Sequence, residues 1–244
     1  MCSLKFVYII FFIILMDLSN TTLSAQIGSN QDAATSVTDS DTVWKLNLSD
    51  YVHRVDSIPA TITGGCVSLT TGTMATSLLL MALDISRKKE VNSTRKTEID
   101  NLITKLREKR DSLAQSADYD NHIFQLFLTA YKLSHGTPAE KIRRDSIIHA
   151  TLLEATNSPL KAAQLIERIL LLFEKAVNLS ADNVFSDIKA STILLNASFE
   201  AIIFIANDNI RQLKPLESAS CKKRRDTIIK NEKSTFHKIM VMNL

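Results

Sequence analysis

The stretch VSLTTGTMATSLLLMALDIS, residues 67–86, places the strongest constraint on how this chain can fold. Apolar or small side chains occupy nearly every position, so a helix formed here needs other parts of the protein to cover it on all sides. Serine and threonine interrupt the run, and it holds no continuous apolar segment of about 18 residues of the kind that spans a membrane. The stretch therefore predicts the buried central helix of a helical domain.

The composition of the whole chain agrees with a helical protein. Hydrophobic residues make up 45% of the 244 residues, aromatic residues only 6%, and there are 5 glycines and 4 prolines. Sheets rely on aromatic and β-branched residues and on frequent turn residues, so this composition favours an all-α domain. Short linkers between long helical segments make neighbouring helices antiparallel. We expect an all-α antiparallel helical bundle with a long buried central helix.

Several helix boundaries are marked by the residues themselves. Thr137, Pro138 and Glu140 combine a helix cap, a proline at the first helical position and a glutamate three residues after the cap. The segment 120–133, which ends before Gly136, either continues the preceding charged helix or forms one of its own. The expected helix starts are, in chain order, near Ser49, Val67, Thr94, Thr137, Ser158, Asn183 and Glu217.

The N-terminus has the layout of a secretory signal peptide. Lys5 precedes the apolar run FVYIIFFIILM, residues 6–16, and small residues follow up to Ala25. The run is too short to span a membrane, and an uncleaved N-terminal membrane anchor is the alternative. We expect a signal peptide over residues 1–25, a polar spacer over 26–45, and a secreted or periplasmic protein with no stable membrane span after cleavage.

Charge and potential metal ligands exclude several function classes. The formal net charge of +3 is too small to imply a nucleic-acid-binding surface. The basic run 222–225 fits a solvated face of a basic C-terminal helix over 217–244, and a site for an acidic partner is the alternative. The sequence has no CxxC or HExxH motif and no His and Cys cluster at metal-ligand spacing, so we expect no metal. Cys66 and Cys221 remain after signal removal, and we expect both to be unpaired thiols.

Three of the five glycines lie in PATITGGCVSLTTG, residues 59–72, around the start of the buried helix. One interpretation is structural, since glycine lets the backbone turn tightly into a closely packed helix. The other is functional, since a glycine-rich helix N-terminus exposes backbone N–H groups that can bind an anionic or carbonyl ligand. The Gly–Gly pair alone leaves both interpretations open.

Five segments stand in the order and at the approximate spacing of a known family. They are Ile62-Thr63-Gly64-Gly65-Cys66, then Asp120-Asn121-His122-Ile123-Phe124 followed by AYKLSHGTPAEKIRR, then Asn157-Ser158-Pro159-Leu160, Asn183-Val184-Phe185-Ser186-Asp187 and Ile205-Ala206-Asn207-Asp208-Asn209-Ile210. Over roughly residues 46–216 the chain therefore resembles the cyclodeaminase/cyclohydrolase family, the all-helical domain that follows the formiminotransferase in a bifunctional folate enzyme.

The resemblance implies folate-dependent one-carbon chemistry. Members of the family close the N5-formimino group of tetrahydrofolate onto N10 and release ammonia, a lyase reaction, or they hydrolyse the methenyl bridge. Both reactions need proton transfer by a positioned group. The substrate would be a tetrahydrofolate derivative, and the family is expected to form dimers with the folate site near the subunit interface. The apolar segments 67–86 and 193–205 also predict a homodimer, because one small bundle does not cover them both.

Six residues match polar or glycine positions of the family, and Cys66 stands at the position of its serine. The resemblance makes Asp187 and Asp120 the candidate catalytic residues, and the candidate substrate-binding residues are Gly64, Gly65, Cys66, Ser186 and Asn209. We expect Asp187 to open a helix and to lie beside the Gly64–Gly65 turn. The alternatives are a helix-start role for Asp187, a solvated helix position for Asp120, and a polar bridge between helices for Asn209. His122 stands where the family has glutamate and inherits no role.

Departures from the family pattern favour a diverged member. They are Ile62 for proline, Thr63 for the first glycine, Cys66 for serine, Ile205 for asparagine and Asn207 for arginine. A signal peptide is also unusual for an enzyme of cytosolic reduced folates. The resemblance therefore leaves two functions open. One is a folate enzyme, with its activity kept or impaired. The other is a non-catalytic secreted helical module that binds a ligand or forms a dimeric interaction surface.

Overall fold

The structure is a computed structural model that describes residues 42–242. Within that range six α-helices follow one another and no strand occurs, which confirms the all-α prediction. The helices are α1 (Leu48–Val55), α2 (Gly64–Lys89), α3 (Ser93–Tyr131), α4 (Pro138–Leu179), α5 (Phe185–Ile210) and α6 (Pro215–Val241). Short 3-10 turns, Val43–Lys45 and Asp182–Val184, precede α1 and α5. The expected signal peptide and most of the expected spacer lie outside the described residues.

Helices α2, α3, α4 and α5 pack in a ring, and α6 lies against α4 and α5. Successive helices of the ring run antiparallel. At one end, the Ala181 N–H, just before α5, donates to the hydroxyl of Ser86 near the end of α2, at 2.9 Å. At the other end, the Ser198 hydroxyl donates to the Ser68 carbonyl near the start of α2, at 2.6 Å. The predicted antiparallel bundle is confirmed.

Helix α2 is the central helix, and half of its 26 residues are buried. At Gly72 a Cβ atom would lie 2.7 Å from the Ser198 hydroxyl oxygen, so glycine allows α2 and α5 to approach closely. One face of α2 is open, however, because Met74 is 52% exposed and Met81 is 43% exposed. Within one chain α2 is therefore buried on every side except this face.

By length and apolar composition alone, two segments within residues 42–242 could cross a membrane, Gly64–Lys89 and Asp182–Ile210. In the bundle, 61% of the apolar 18-residue stretch of the first segment is buried, and 44% of that of the second. The two segments contain α2 and α5, which pack against each other. Their apolar character therefore serves the core of the bundle over much of their length.

The helix start at Thr137 is confirmed in detail. The Thr137 hydroxyl accepts the Glu140 N–H at 3.2 Å, and the Glu140 carboxylate accepts the Thr137 N–H at 2.9 Å. This reciprocal pair is the capping box that the sequence predicts. The helix start predicted at Ser158 is wrong, because α4 runs without interruption through Pro159.

Helices α3 and α4 are longer than α2 and α5, with 39 and 42 residues against 26 each. They extend past the start of α2 as a hairpin, residues 124–148, here called the α3–α4 arm. Ala130 is its only buried residue. The Arg144 guanidinium donates to the Tyr131 carbonyl at 3.2 Å and lies 5.4 Å from the centre of the Tyr131 ring. These contacts join the two helices of the arm near its tip.

Candidate functional site

The carboxyl group of Asp120, on α3, lies directly against the first turn of α2. A Cβ atom placed on Gly65 would come within 2.6 Å of the Asp120 Cγ and 2.8 Å of its Oδ1, distances that real Cβ atoms do not show. Gly65 is therefore required here because Asp120 occupies the space of a side chain. The structure thus brings together two of the predicted site residues.

Hydrogen bonds from the loop before α2 hold this carboxyl group. The Thr63 hydroxyl donates to Asp120 Oδ2 at 2.6 Å and accepts the Cys66 N–H at 2.9 Å, so Thr63 is also the N-cap of α2. The Thr63 N–H donates to the side-chain oxygen of Asn121 at 3.2 Å. Residues 63–66 and 120–121 therefore form one hydrogen-bonded unit, here called the α2–α3 polar cluster.

Burial governs the protonation of the α2–α3 polar cluster. Loss of solvation raises the pKa of Asp120, although hydrogen bonds from the Thr63 side chain and the Cys66 backbone oppose the rise. Burial, with a smaller effect from the nearby Asp120 charge, raises the pKa of Cys66 to about 12. Burial also raises the pKa of Tyr51 to about 12. Asp120 is therefore the group of this cluster that can exchange a proton closest to neutral pH.

The structure agrees with the close-packing part of the structural interpretation of the glycines. None of the glycines in residues 42–242 has a positive φ, so they do not form a left-handed turn into α2. Gly64 and Gly65 are instead the first two residues of α2. Gly65 is glycine because of the Asp120 carboxyl group, whereas a Cβ on Gly64 would meet no atom within 4 Å.

Ser186 and Asp187 lie near the other end of the bundle. They are in the first turn of α5, as predicted for Asp187. The nearby Asn183 side chain accepts from Lys89, the last residue of α2, at 2.7 Å. Since α2 has 26 residues, its two ends are roughly 39 Å apart. The prediction that Asp187 lies beside the Gly64–Gly65 turn of the same chain is wrong, because α2 and α5 are antiparallel and start at opposite ends.

Asn209 lies at the same end of the bundle as Gly64, near the end of α5. Its side-chain nitrogen donates to the Ala155 carbonyl on α4 at 2.7 Å. This bond connects two helices, so the structure agrees with the alternative that made Asn209 a polar bridge. Asn209 makes no hydrogen bond to the α2–α3 polar cluster.

A model of the formiminotransferase-cyclodeaminase family matches residues 47–228. The chain belongs to the formiminotransferase-cyclodeaminase family. Its fold is similar to that of formiminotetrahydrofolate cyclodeaminase from Thermotoga maritima, with a TM-score of 0.71 and 20% sequence identity over 81% of this chain and 95% of that chain. A comparison with curated protein sequences gave no match. The match to the family confirms the resemblance, and it extends past residue 216 into α6.

The structure shows what surrounds Asn207, one of the departures from the pattern of the formiminotransferase-cyclodeaminase family. Asn207 stands where the family resemblance has arginine, and its side-chain oxygen accepts from the Arg225 guanidinium at 2.6 Å. Arg225 comes from α6, which packs beside α5 in the antiparallel direction. A guanidinium group is therefore present beside residue 207, although a different helix supplies it.

Sequence reasoning missed three residues that belong to the α2–α3 polar cluster or pack against α2. Thr63 was considered only as a departure from the family, although a threonine three residues before Cys66 fits an N-cap. Asn121 follows Asp120 directly and binds the Thr63 backbone. Tyr51 donates to the Thr70 hydroxyl at 3.2 Å and so places α1 against α2. No local signal marked Tyr51, because its position depends on how α1 packs.

The described residues also include a buried imidazole nitrogen without a hydrogen-bond partner and two free thiols. The Nε2 atom of His122 is buried and has no hydrogen-bond partner. Cys66 and Cys221 are free thiols. Across residues 42–242 no three His, Cys, Asp or Glu side chains come together in a way that could hold a metal ion.

Proposed function

We propose that this protein is a folate-dependent one-carbon enzyme of the cyclodeaminase or methenyl-cyclohydrolase type and that Asp120 transfers the proton. The proposal rests on one observation: a partly buried carboxyl group, with its pKa raised by burial, lies against the N-terminal turn of α2. An Asp carboxyl whose pKa is raised can donate and accept protons closer to neutral pH than an exposed one. Membership of the formiminotransferase-cyclodeaminase family supplies the substrate class.

In the cyclodeaminase reaction, N10 of the substrate forms a bond to the formimino carbon, and the N10 proton moves to the imine nitrogen. The Asp120 carboxyl group then gives its proton to the resulting amino group, the bond between carbon and that nitrogen breaks, and ammonia leaves. The product is the methenyl cation, and solvent returns a proton to the Asp120 carboxylate. In the cyclohydrolase reaction the carboxylate instead accepts a proton from the attacking water and returns it to N5 as the bond between carbon and N5 breaks. The remaining hydroxyl proton leaves to solvent, and the carbon becomes the formyl group on N10.

The test supplies the purified protein with formimino- and methenyl-tetrahydrofolate and follows the absorbance of the methenyl group. We expect turnover of one of the two substrates, and Asp120→Asn should lower it by about 10²-fold or more. Asp111→Asn, which changes an exposed carboxylate on the same helix, is the matched control and should leave turnover unchanged. Lack of turnover of both substrates by the native protein contradicts the proposal. Folate binding without turnover would then favour the non-catalytic ligand-binding module.

We further propose that the protein is a homodimer that associates through the open faces of α2 and α5. Phe204 is 66% exposed and Ile193 is 50% exposed on α5, and Met74 and Met81 are exposed on the adjacent α2. Small residues Ala190 and Ala197 continue this face of α5. Exposed apolar surfaces that extend along two neighbouring helices are typical of protein interfaces. These residues are here called the α2–α5 apolar face.

A dimer formed through this face can have its two-fold axis in the plane of the interface and perpendicular to the helices. Such an axis places opposite ends of the two subunits against each other. The start of α5 in one subunit then lies over the end of the bundle that holds Gly64 and Asp120 in the other. We therefore propose that each folate site combines Asp120 with the partner subunit's Asp187. This arrangement keeps both carboxylates as site residues although one chain holds them apart.

The proposal for localisation is export, based on the signal-peptide layout of residues 1–25. The mature chain should then begin between Ala25 and Asn30. N-terminal sequencing of the protein from its native host tests this directly. Retention of Met1 or Cys2 contradicts export by cleavage and favours the N-terminal anchor.

A further inference from the structure

The Thr63 hydroxyl group makes two hydrogen bonds, and chemistry fixes the direction of one of them. The Cys66 N–H can only donate, so the Thr63 oxygen is the acceptor of that bond at 2.9 Å. The single hydroxyl proton is therefore free to point to its other neighbour. That neighbour is Oδ2 of Asp120, at 2.6 Å, a distance that is short for a hydrogen bond between two oxygens.

This directionality makes Thr63 a partner of the charged form of Asp120. A carboxylate oxygen can only accept, so the Thr63 proton points to Oδ2 when Asp120 is ionised. A hydrogen bond donated to the charged form of a group favours that form. We propose that Thr63 is a positioning residue that fixes the rotamer of Asp120 and stabilises its carboxylate through the bond to Oδ2. Its consequence for catalysis rests on the proposed function, whereas the stabilisation of the carboxylate does not.

The other ionisable groups around Asp120 leave Thr63 as the side chain that most directly favours the carboxylate. From α2, the Cys66 thiol stays neutral because burial raises its pKa to about 12, and from α1 the same holds for Tyr51. From α3, the Asp118 carboxylate binds the Thr42 hydroxyl at 2.7 Å and the Val43 N–H at 2.9 Å. No ion pair involves Asp120 among the described residues. The bond from Thr63 therefore opposes the effect of burial without help from a cation.

The experiment compares Thr63→Val, which keeps the shape but removes the hydroxyl, with Thr63→Ser, which keeps the hydroxyl. The pKa of Asp120 is measured by NMR titration of carboxyl-labelled aspartate in the full protein, and Asp120→Asn assigns the signal. A hydrogen bond to a charged group is lost in Thr63→Val, so the pKa of Asp120 should rise by about one to two pH units. In Thr63→Ser it should stay within a few tenths of a unit of the native value.

Loss of the N-cap also weakens α2, so a second variant separates folding from the effect of the hydroxyl group on Asp120. Thr63→Gly has no hydroxyl, yet glycine at an N-cap costs only a few tenths of a kcal/mol relative to threonine. It should fold and should raise the pKa of Asp120 as Thr63→Val does. An unchanged pKa of Asp120 in both variants overturns the proposal.

A second measurement distinguishes this proposal from the proposed function. If the protein turns over folate, the limb of the pH–rate profile that reports Asp120 should move upward in Thr63→Val by the same amount as the NMR titration and should stay in place in Thr63→Ser. A shifted NMR titration in a protein without turnover supports Thr63 and contradicts the enzyme. Turnover with an unshifted titration supports the enzyme and overturns the role of Thr63.

Discussion

The side-chain nitrogen of Asn209 donates to the carbonyl oxygen of Ala155 at 2.7 Å, and Ala155 lies four residues before Pro159. Proline has no N–H, so this carbonyl lacks the donor that residue 159 would normally supply within the helix. Asn209 replaces that donor from a different helix. The bond explains why α4 continues through Pro159 and ties the end of α5 to the middle of α4.

A double-mutant cycle tests this relationship. Asn209→Ala should lower the free energy of unfolding by about 1–2 kcal/mol, because a carbonyl in the helix interior loses its donor. In a Pro159→Ala background the residue at 159 can donate to Ala155, so the same change should cost much less. Denaturant titration of the four proteins gives the coupling. An equal cost in both backgrounds contradicts the explanation.

Two adjacent glycines provide a matched pair at the start of α2. Gly65→Ala should destabilise the protein by about 1–3 kcal/mol and should displace Asp120, because the new methyl group would occupy the place of its carboxyl. Gly64→Ala should be neutral or stabilising by up to about 1 kcal/mol, because its Cβ meets no atom and alanine favours a helix. Thermal or denaturant unfolding compares the two. Equal effects of the two changes would show that Asp120 does not pack against Gly65.

The homodimer has a direct test on the α2–α5 apolar face. Phe204→Glu places a charge at its most exposed large side chain and should convert the dimer to a monomer at micromolar concentration. Ile142→Glu is the control, since Ile142 is 72% exposed but lies on the α3–α4 arm. Light scattering gives the mass of each protein. A monomeric native protein contradicts the dimer, and a dimeric Phe204→Glu variant contradicts this interface.

Sites shared between subunits predict complementation between inactive variants. Asp120→Asn and Asp187→Asn should each lower turnover by about 10²-fold, as expected for loss of a proton-transfer group. A mixed dimer of the two variants contains one site with both native carboxylates, so mixing after dissociation should restore about a quarter of the native turnover. No recovery in verified mixed dimers would remove the partner subunit's Asp187 from the site that contains Asp120.

Glu232, on α6, should make stability depend on pH. It is 2% exposed, its Oε1 has no partner, and burial, helped by the charge of Glu200, raises its pKa to about 7. The folded protein therefore keeps a proton that the unfolded chain releases above about pH 4, so stability falls as pH rises from about 4 to 7.

Replacing Glu232 with glutamine removes this pH dependence. Glu232→Gln should stabilise the protein by roughly 1–2 kcal/mol at about pH 8, with little effect near pH 4, after allowance for solvent relaxation around the carboxylate. The control Glu108→Gln changes an exposed glutamate on α3. Unfolding curves at both pH values measure the difference. An equal effect of Glu232→Gln at the two pH values contradicts the assignment.

The local parts of the fold could be predicted because local signals determine them. The capping box at Thr137 and Glu140 and the apolar pattern of residues 67–86 each depend on residues close in sequence. The helix break at Pro159 was wrong because a residue 50 positions later, Asn209, supplies the missing donor. Proline signals a helix end only when nothing in the tertiary structure satisfies the carbonyl it leaves free.

The candidate site was predicted only in part, and its error has a topological cause. Asp120 and Gly65 do meet, as the family resemblance implied. Two helices, α3 and α4, lie between α2 and α5 in the chain. In an up-and-down ring α5 therefore runs antiparallel to α2, and its start, which holds Asp187, lies at the opposite end from Gly65 and Asp120. Counting helices between Gly64 and Asp187 would have placed their starts at opposite ends. The bond from Thr63 depends on side-chain geometry that the sequence does not contain.

The long hairpin formed by residues 124–148 gives the protein an internal unit of low local stability. With Ala130 as its one buried residue, the arm can separate from the rest without exposing the core of the ring. Its amide hydrogens should therefore exchange through openings that cost less free energy than global unfolding. Because α3 continues from Asp120 into this arm, a molecule that binds both Asp120 and the arm will slow amide exchange in the arm. Exchange rates in the arm thus provide a reporter of occupancy that needs no chemical turnover.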